Sequence, residues 1–78
     1  MREFQDELGK PWRAISVDAI VAHGKPGAVL AFVSAENPDG EPIEANVTFN
    51  SHRAADFALR TMSQKELQRR LSLARATN

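Results

Sequence analysis

Apolar and polar residues alternate along much of residues 1–50, and the period changes to that of a helix near the end of the chain. Strict alternation is typical of half-buried strands, whereas a spacing of three and four residues is typical of an amphipathic helix. Residues 1–50 therefore predict an antiparallel sheet, and residues 63–76 predict a C-terminal helix. Residues 51–62 form either a connection or a short helix, and a single domain, 1–78, contains all of these elements.

The segment EFQDELGKPW predicts a tight hairpin at the start of the chain. A type I turn with Gly9 in the left-handed conformation makes Asp6 and Lys10 the closing pair. Counting outward from that pair places Phe4 directly opposite Trp12. We therefore expect the two aromatic side chains to form a cross-strand pair, a contact worth roughly 0.2–1 kcal/mol over two alanines.

A second hairpin is predicted by Asn-Pro-Asp-Gly, residues 37–40, between two apolar runs. The proline presets the first turn dihedral, and we expect Gly40 to take a positive φ. The resulting register pairs Ala35 with Ile43, Val33 with Ala45, Ala31 with Val47 and Val29 with Phe49. One face of this hairpin is then wholly apolar, and Leu30 and Phe32 are left on the opposite face among polar residues.

The segment WRAISVDAIVA predicts a longer strand between the two hairpins. Perfect alternation puts one apolar set on the face opposite to Trp12 and Ala14, unless a bulge or a bend brings the two sets together. This set is Ile15, Val17, Ala19 and Val21. Four strands followed by a helix predict an α+β fold, a four-stranded antiparallel meander covered on one face. A curled, SH3-like barrel is the alternative, because it would bury both faces of the middle strands.

The C-terminal segment MSQKELQRRLSLARA carries the signals of a helix. Ser63 is a predicted N-cap, and Glu66 three residues later completes a capping box. Upstream, Ser51 is a candidate cap for the short helix. The apolar stripe that would face the sheet consists of Leu67, Leu71 and Ala74.

Length and composition allow a core of modest size. The chain has 78 residues, and a domain of this length buries roughly 60–65% of the surface that its unfolded form exposes. Without cysteine it has neither disulfides nor thiolate metal sites. The N-terminal MREFQDELGK lacks the basic start and apolar run of a signal peptide, and no stretch approaches the ~18 apolar residues of a membrane span. These features predict a soluble, cytoplasmic protein, with peripheral association with a membrane complex left open.

Charge is unevenly distributed, although the net charge is zero. Residues 1–51 contain four basic and eight acidic residues, whereas residues 52–78 contain six basic and two acidic residues. The basic tail offers several residues for contacts with phosphates, which supply affinity without sequence selection: Arg60, Lys65, Arg69, Arg70 and Arg75. The same side chains would equally complement carboxylates of the sheet or of a protein partner.

The order of several residues resembles that of a known group of proteins. The matching residues are, in order, Phe4, Asp6, Gly9 and Trp12 as F-x-D-x-x-G-x-x-W, the strand VLAFVS, Arg53, and S-x-x-E-L followed by Leu71 and Ala74. This order is similar to that of short, uncharacterised bacterial proteins that open with such a hairpin and close with a small helix. Those proteins usually carry proline and tryptophan between the last strand and the helix, where this chain has AADFALRTM. The resemblance implies the same layout, and it transfers no catalytic residue because the group has no established activity.

Candidate catalytic and metal-binding groups are few. Ser51, His52 and Asp56 are the residue types of a hydrolytic set, but Ser51 and His52 are adjacent, and neighbours point apart on a helix or a strand. A capping serine and a surface histidine are the better interpretation. The two histidines, His23 and His52, lack the spacing of a zinc site. We therefore predict no enzymatic activity, no metal and no cofactor.

The leftover apolar residues predict a contact surface, since exposed aromatic and apolar side chains in one patch mark interfaces. The candidates are Phe4, Trp12, Leu30 and Phe32 as apolar contacts, with Arg69, Arg70 and Arg75 as charged contacts. Burial of the apolar residues in a core is the competing interpretation. The predicted function is a protein-binding module, either an accessory or scaffolding subunit of a larger bacterial assembly or a homodimer. A nucleic-acid-binding module that uses the basic helix is the alternative.

Overall fold

The computed structural model describes residues 1–77, which form one sheet and two α-helices. The strands are β1 (Arg2–Gln5), β2 (Pro11–Ile20), β3 (Pro26–Ser34) and β4 (Ile43–Phe49), and the helices are α1 (His52–Thr61) and α2 (Gln64–Thr77). The strand order is β1-β2-β3-β4, and neighbouring strands are antiparallel. The sheet is open, with β1 and β4 at its edges. The predicted α+β meander with a C-terminal helix is therefore confirmed, and the sheet does not close into a barrel.

The first hairpin forms as predicted. Phe4 lies opposite Trp12, and Gly9 has a φ of 81°. The Asp6 N–H donates to the Lys10 carbonyl at 2.9 Å, and the Gly9 N–H donates to the Asp6 carbonyl at 3.0 Å. The register of this hairpin is therefore set by the local geometry of its turn.

Strand β2 keeps a regular alternation against β3. Ala14 pairs with Phe32, and Val17 pairs with Val29, in one continuous register. Because side chains alternate along a strand, Ala14 lies on the face that packs against the helices, which we term the inner face. Val17 lies on the opposite, outer face. The two apolar sets of β2 thus stay on different faces.

The loop of the second hairpin is longer than predicted. The Gly40 N–H donates to the Asn37 carbonyl at 2.9 Å, so the expected turn forms, but the Asn37 N–H also donates to the Ser34 carbonyl at 3.1 Å. This additional turn makes residues 35–42 a loop. The prediction of a positive φ at Gly40 is wrong. A Cβ at Gly40 would come within 2.7 Å of the Asn37 side-chain nitrogen, which would have to move, and within 3.1 Å of the Asn37 carbonyl oxygen.

The additional turn changes the register of β3 against β4. Ile43 pairs with Phe32 instead of the predicted Ala35, an offset of three residues. An odd offset moves side chains to the other face of the sheet. Leu30 and Phe32 therefore lie on the inner face, together with the apolar side chains of β4.

A β-bulge follows in β4. Val29 pairs with Thr48, and Ala31 pairs with Glu44, so one intervening residue of β3 lies against three of β4. The two extra residues are an even number, and the apolar side chains of β4 consequently keep to the inner face on both sides of the bulge. These side chains, which lie in or against the core, are Ile43, Ala45, Val47 and Phe49.

The inner face carries the hydrophobic core. Leu30 and Phe32 are fully buried, and Phe4 is 5% exposed. The rings of Phe4 and Phe32 meet edge to face, with their centroids 5.8 Å apart. This burial corrects the prediction of Phe4, Leu30 and Phe32 as partner contacts. The observed register places Leu30 and Phe32 beneath the helices, where they and Phe4 fill the core.

Both helices begin at the predicted caps. Ser51 Oγ accepts the Ala54 N–H at 3.1 Å, and Ser63 Oγ accepts the Glu66 N–H at 3.1 Å. The segment between the sheet and the last helix is thus a short helix rather than an extended connection. The buried residues through which the helices pack on the inner face are Ala55, Leu59, Leu67, Leu71 and Ala74. Within residues 1–77, neither helix is long and apolar enough to cross a membrane.

Leu30→Ala should lower the free energy of unfolding by about 2–5 kcal/mol, because it removes a buried side chain and leaves a cavity beneath the helices. Leu8→Ala is the matched control, since Leu8 is 81% exposed at the tip of the first hairpin. It should change the free energy of unfolding by less than about 0.5 kcal/mol. Urea unfolding followed by circular dichroism measures both values. Equal effects of the two substitutions would contradict the placement of Leu30 in the core.

Candidate interaction surface

The outer face of the sheet is apolar along its two central strands. Val17 of β2 lies opposite Val29 of β3, and Ile15 lies opposite Ala31. The complete set, which we term the apolar strip, consists of Ile15, Val17, Ala19, Val29, Ala31 and Val33. Among residues 1–77, both helices pack on the inner face, so neither covers this strip.

The side chains of the apolar strip differ in solvent exposure. Ala31 is fully buried, and Val29 and Val33 are 7% and 8% exposed. Ile15 and Val17 are half-buried and therefore in contact with water. A solvated face of an antiparallel sheet usually carries polar residues along its strands. The part of the strip that water reaches is instead apolar, and it is contributed by Ile15, Val17 and Ala19 of β2.

Charged side chains border the apolar strip on both sides. Glu3 of β1 pairs with Arg13, which lies at the end of the strip on β2, and Glu44 of β4 pairs with Ala31. The Arg13 side chain is 39% exposed, and its Nε atom is buried without a hydrogen bond within the described chain. Glu3 of β1 approaches this atom only to 3.7 Å, which is longer than a hydrogen bond. The charge of Arg13 is nonetheless paired with the carboxylate of Glu3, which lies beside it on the same outer face.

Two arginines of α2, Arg69 and Arg70, are engaged within the chain. Arg70 Nε donates to Glu66 Oε1 at 3.0 Å, and Arg69 Nη2 approaches the same oxygen at 3.4 Å. The hydrogen bond from Arg69 and the charges of both arginines lower the pKa of Glu66 below its usual value. Exposed pairs of this kind contribute little to stability. They do reduce the positive potential that α2 presents to a partner.

Trp12 links the first hairpin to α2. Its Nε1–H donates to Asp6 Oδ2 at 3.0 Å, and the Arg75 guanidinium lies 5.6 Å from its ring centroid. Asp6 Oδ1 also accepts the backbone N–H groups of Lys10 and Leu8, each at 2.9 Å. The hydrogen bond from the Lys10 N–H is the largest cause that lowers the pKa of Asp6. The pKa is lowered further by the hydrogen bonds from the Trp12 indole and the Leu8 N–H and by the charge of Arg75. Trp12 and Arg75, two of the predicted contact residues, are thus brought together around one carboxylate.

The structure also assembles a polar cluster that sequence reasoning missed. His52 Nδ1 lies 2.8 Å from Ser16 Oγ, and His52 Nε2 lies 2.6 Å from Asp18 Oδ1. Carboxylate, imidazole and hydroxyl occur in the order of a hydrolytic triad, but catalysis also requires a water-excluding site with donors for an oxyanion. The Asp18 side chain is 97% exposed. We therefore assign the cluster a structural role, in which it fastens the start of α1 to β2.

Comparison of the chain with protein-family models, with curated proteins and with solved structures gives no match. The surfaces of the chain are therefore the basis for inferring its function. The predicted contacts that remain at least partly exposed are Trp12, Arg69, Arg70 and Arg75. Sequence reasoning missed the apolar strip, although its signal is present in the alternation of residues 15–19 and 29–33. The predicted register assigned the second of these sets to the core.

Asp6→Asn should destabilise the protein at neutral pH and have progressively less effect in acid. Folding lowers the pKa of Asp6 from its usual value near 3.8, so the ionised carboxylate stabilises the folded state above that value. This contribution is lost as the pH falls through the lower pKa of the folded state. The difference in urea midpoint between the wild type and Asp6→Asn should therefore shrink between neutral pH and about pH 2.

Asp39→Asn is the matched control for this measurement, because Asp39 lies exposed in the loop of the second hairpin. It should leave the urea midpoint nearly unchanged across the same range. A midpoint difference for Asp6→Asn that stays constant as the pH falls would show that the Asp6 charge does not stabilise the hairpin.

Proposed function

We propose that this protein is a non-enzymatic binding module whose contact surface for another protein is the outer face of the sheet. The observation that carries the proposal is the apolar strip, which neither helix covers within residues 1–77. A partner that covered the strip would remove apolar surface from water, a gain of roughly 25 cal/mol per Å². The bordering charges of Arg13 and Glu44 would then select the orientation of that partner.

The proposed setting is the cytoplasm of a bacterial cell, where the module acts as an accessory or scaffolding subunit of a larger assembly. The absence of cysteine and the resemblance to short bacterial proteins support this setting. The open sheet suits the role, because a contact surface built on paired strands loses little conformational entropy when a partner binds.

Nucleic-acid binding, the alternative, receives less support from the contacts of α2. Arg69 and Arg70 share the carboxylate of Glu66, and Arg75 lies over the Trp12 ring. A phosphate would have to compete with each of these contacts. The outer face imposes no such competition, since its apolar side chains give up only contacts with water.

Val17→Lys tests the proposal. It should preserve the fold, because residue 17 lies on the face opposite to the core, and it should abolish binding, because it places a charge where an apolar contact is needed. Phe57→Lys is the matched control, since Phe57 is an apolar side chain 61% exposed on α1. A photo-crosslinking amino acid at position 19 reports contact in each background, and circular dichroism checks folding.

We expect crosslinks to protein from position 19 in the wild type and in Phe57→Lys, and their loss in Val17→Lys. Crosslinks that persist undiminished in Val17→Lys would show that the partner does not use the apolar strip. Their absence from the wild type would equally overturn the proposed contact surface.

A further inference from the structure

We infer that the outward side of α1 binds single-stranded nucleic acid through Arg53, Phe57 and Arg60, which we term the α1 stripe. In this arrangement the two arginines contact phosphates, and the ring of Phe57 stacks on a base. The inference goes beyond the proposed function, because the α1 stripe lies on the side of the molecule opposite to the apolar strip.

The α1 stripe is exposed because of its position on the helix. Helix α1 packs on the sheet through Ala55 and Leu59, and a residue two positions away lies about 200° around the helix axis. Arg53 and Phe57 are each two positions from Ala55, and Arg60 follows Phe57 by three. All three are exposed, and Phe57 is 61% exposed. The ring therefore projects into solvent between two cationic side chains.

The charges of the two arginines are free to bind an anion. Among residues 1–77, neither the Arg53 nor the Arg60 guanidinium forms a hydrogen bond or an ion pair. Arg69 and Arg70 of α2, by contrast, share the carboxylate of Glu66. A phosphate at the α1 stripe therefore meets none of the competition that it meets at those two residues.

One acidic side chain lies close to the α1 stripe. Asp56 is exposed and lines the same open depression as Arg53 and Arg60. In the described chain it forms an ion pair with neither of them. Asp56 therefore weakens the positive potential of the stripe without neutralising either arginine, and its charge opposes the approach of a phosphate.

The side of the molecule that carries the helices is basic as a whole. Residues 52–78 contain six basic and two acidic residues, whereas residues 1–51 contain four basic and eight acidic residues. The exposed Lys65, in the first turn of α2, extends the positive surface beyond Arg60. Such an uneven distribution steers a polyanion toward the basic side even when the net charge is zero.

Single-stranded nucleic acid fits the α1 stripe better than an anionic membrane does. A membrane holds a surface helix through a broad apolar face, but the apolar face of α1 is buried in the core. Proteins hold single strands by combining cations along the backbone with aromatic rings that stack on bases. In a duplex the bases are stacked on one another and do not reach Phe57, so the inferred ligand is a single strand.

Fluorescence anisotropy of a labelled oligothymidylate of about ten nucleotides tests the inference on the full chain at low salt. The wild type should bind this strand more tightly than a duplex of the same length. Arg53→Ala and Arg60→Ala should each weaken binding. Each should also reduce by about 0.7 the slope of the logarithm of the binding constant against that of the salt concentration, the value for one phosphate of a single strand.

Phe57→Ala should weaken binding about fivefold or more, the effect of losing one stacked base. It should leave the salt dependence unchanged, because it removes no charge. Asp56→Asn should instead strengthen binding, by up to about fivefold, because it removes a repulsion near the phosphates. These opposite signs and separate salt dependences distinguish binding contacts from a loss of structure.

Lys10→Ala and Leu8→Ala are the matched controls, since they remove an exposed cation and an exposed apolar side chain from the first hairpin. Both should bind the strand as the wild type does. Circular dichroism checks that every variant is folded.

A wild type that gives no change in anisotropy at low salt would overturn the inference. Equal losses in Lys10→Ala and Arg53→Ala would do so as well, because they would show attraction without a defined site. Competition by polyglutamate as strong as that by unlabelled oligothymidylate would reject nucleic acid in favour of an acidic protein segment. Retention on vesicles that contain phosphatidylserine, without binding of the strand, would assign the α1 stripe to a membrane instead.

Discussion

The pairing of Phe32 with Ile43 decides which side chains of β3 lie beneath the helices. Residues 27–33 are all buried, and β3 is apolar on both of its faces, so alternation within the strand leaves two sets that could fill a core. A register shift by one residue would exchange them. The turn at Ser34 selects the set that contains Leu30 and Phe32 for the inner face, and it leaves the smaller valines and alanine outside.

This selection agrees with the energetics of burial. A leucine or phenylalanine gains roughly 1.5–3 kcal/mol on full burial, and alanine much less. The helices contribute Leu59, Leu67 and Leu71 to the same core, so the largest apolar surfaces of the sheet and of the helices cover one another. The outer set of β3 consists of the smaller side chains Val29, Ala31 and Val33, whose burial gains less.

Sequence reasoning succeeded where structure is determined within a few residues. The first hairpin follows from Gly9 and its closing pair, and both helices begin at the serines expected to cap them. It failed where one local turn was followed by another. Residues 37–40 do form the predicted turn, but Ser34 Oγ also accepts the Glu36 N–H at 3.2 Å. This local bond favours a bend over continued strand pairing.

The candidate site was harder to predict because its contacts join distant segments. Ser16 and Asp18 alternate on one face of a predicted strand, but nothing in that spacing identifies His52 as their partner. Likewise, Arg75 is predictable as a residue of a basic helix, whereas its position over Trp12 depends on how α2 crosses the sheet. The position of the apolar strip depends on the register of β3 with β4. Because the turn at Ser34 was not predicted, the β3 residues of the strip were assigned to the face that packs in the core.

Polar contacts between the helices and β1 stabilise the sheet on its inner face. Arg2 Nη1 donates to the carbonyl oxygens of Leu59 and Met62 at 3.0 and 2.7 Å, at the C-terminal end of α1, where unpaired carbonyls favour a cation. Gln68 of α2 donates to the Gln5 carbonyl at 2.8 Å. A partner on the outer face leaves these bonds intact. On the proposed function, binding of that partner would cost rigid-body entropy and desolvation but no refolding.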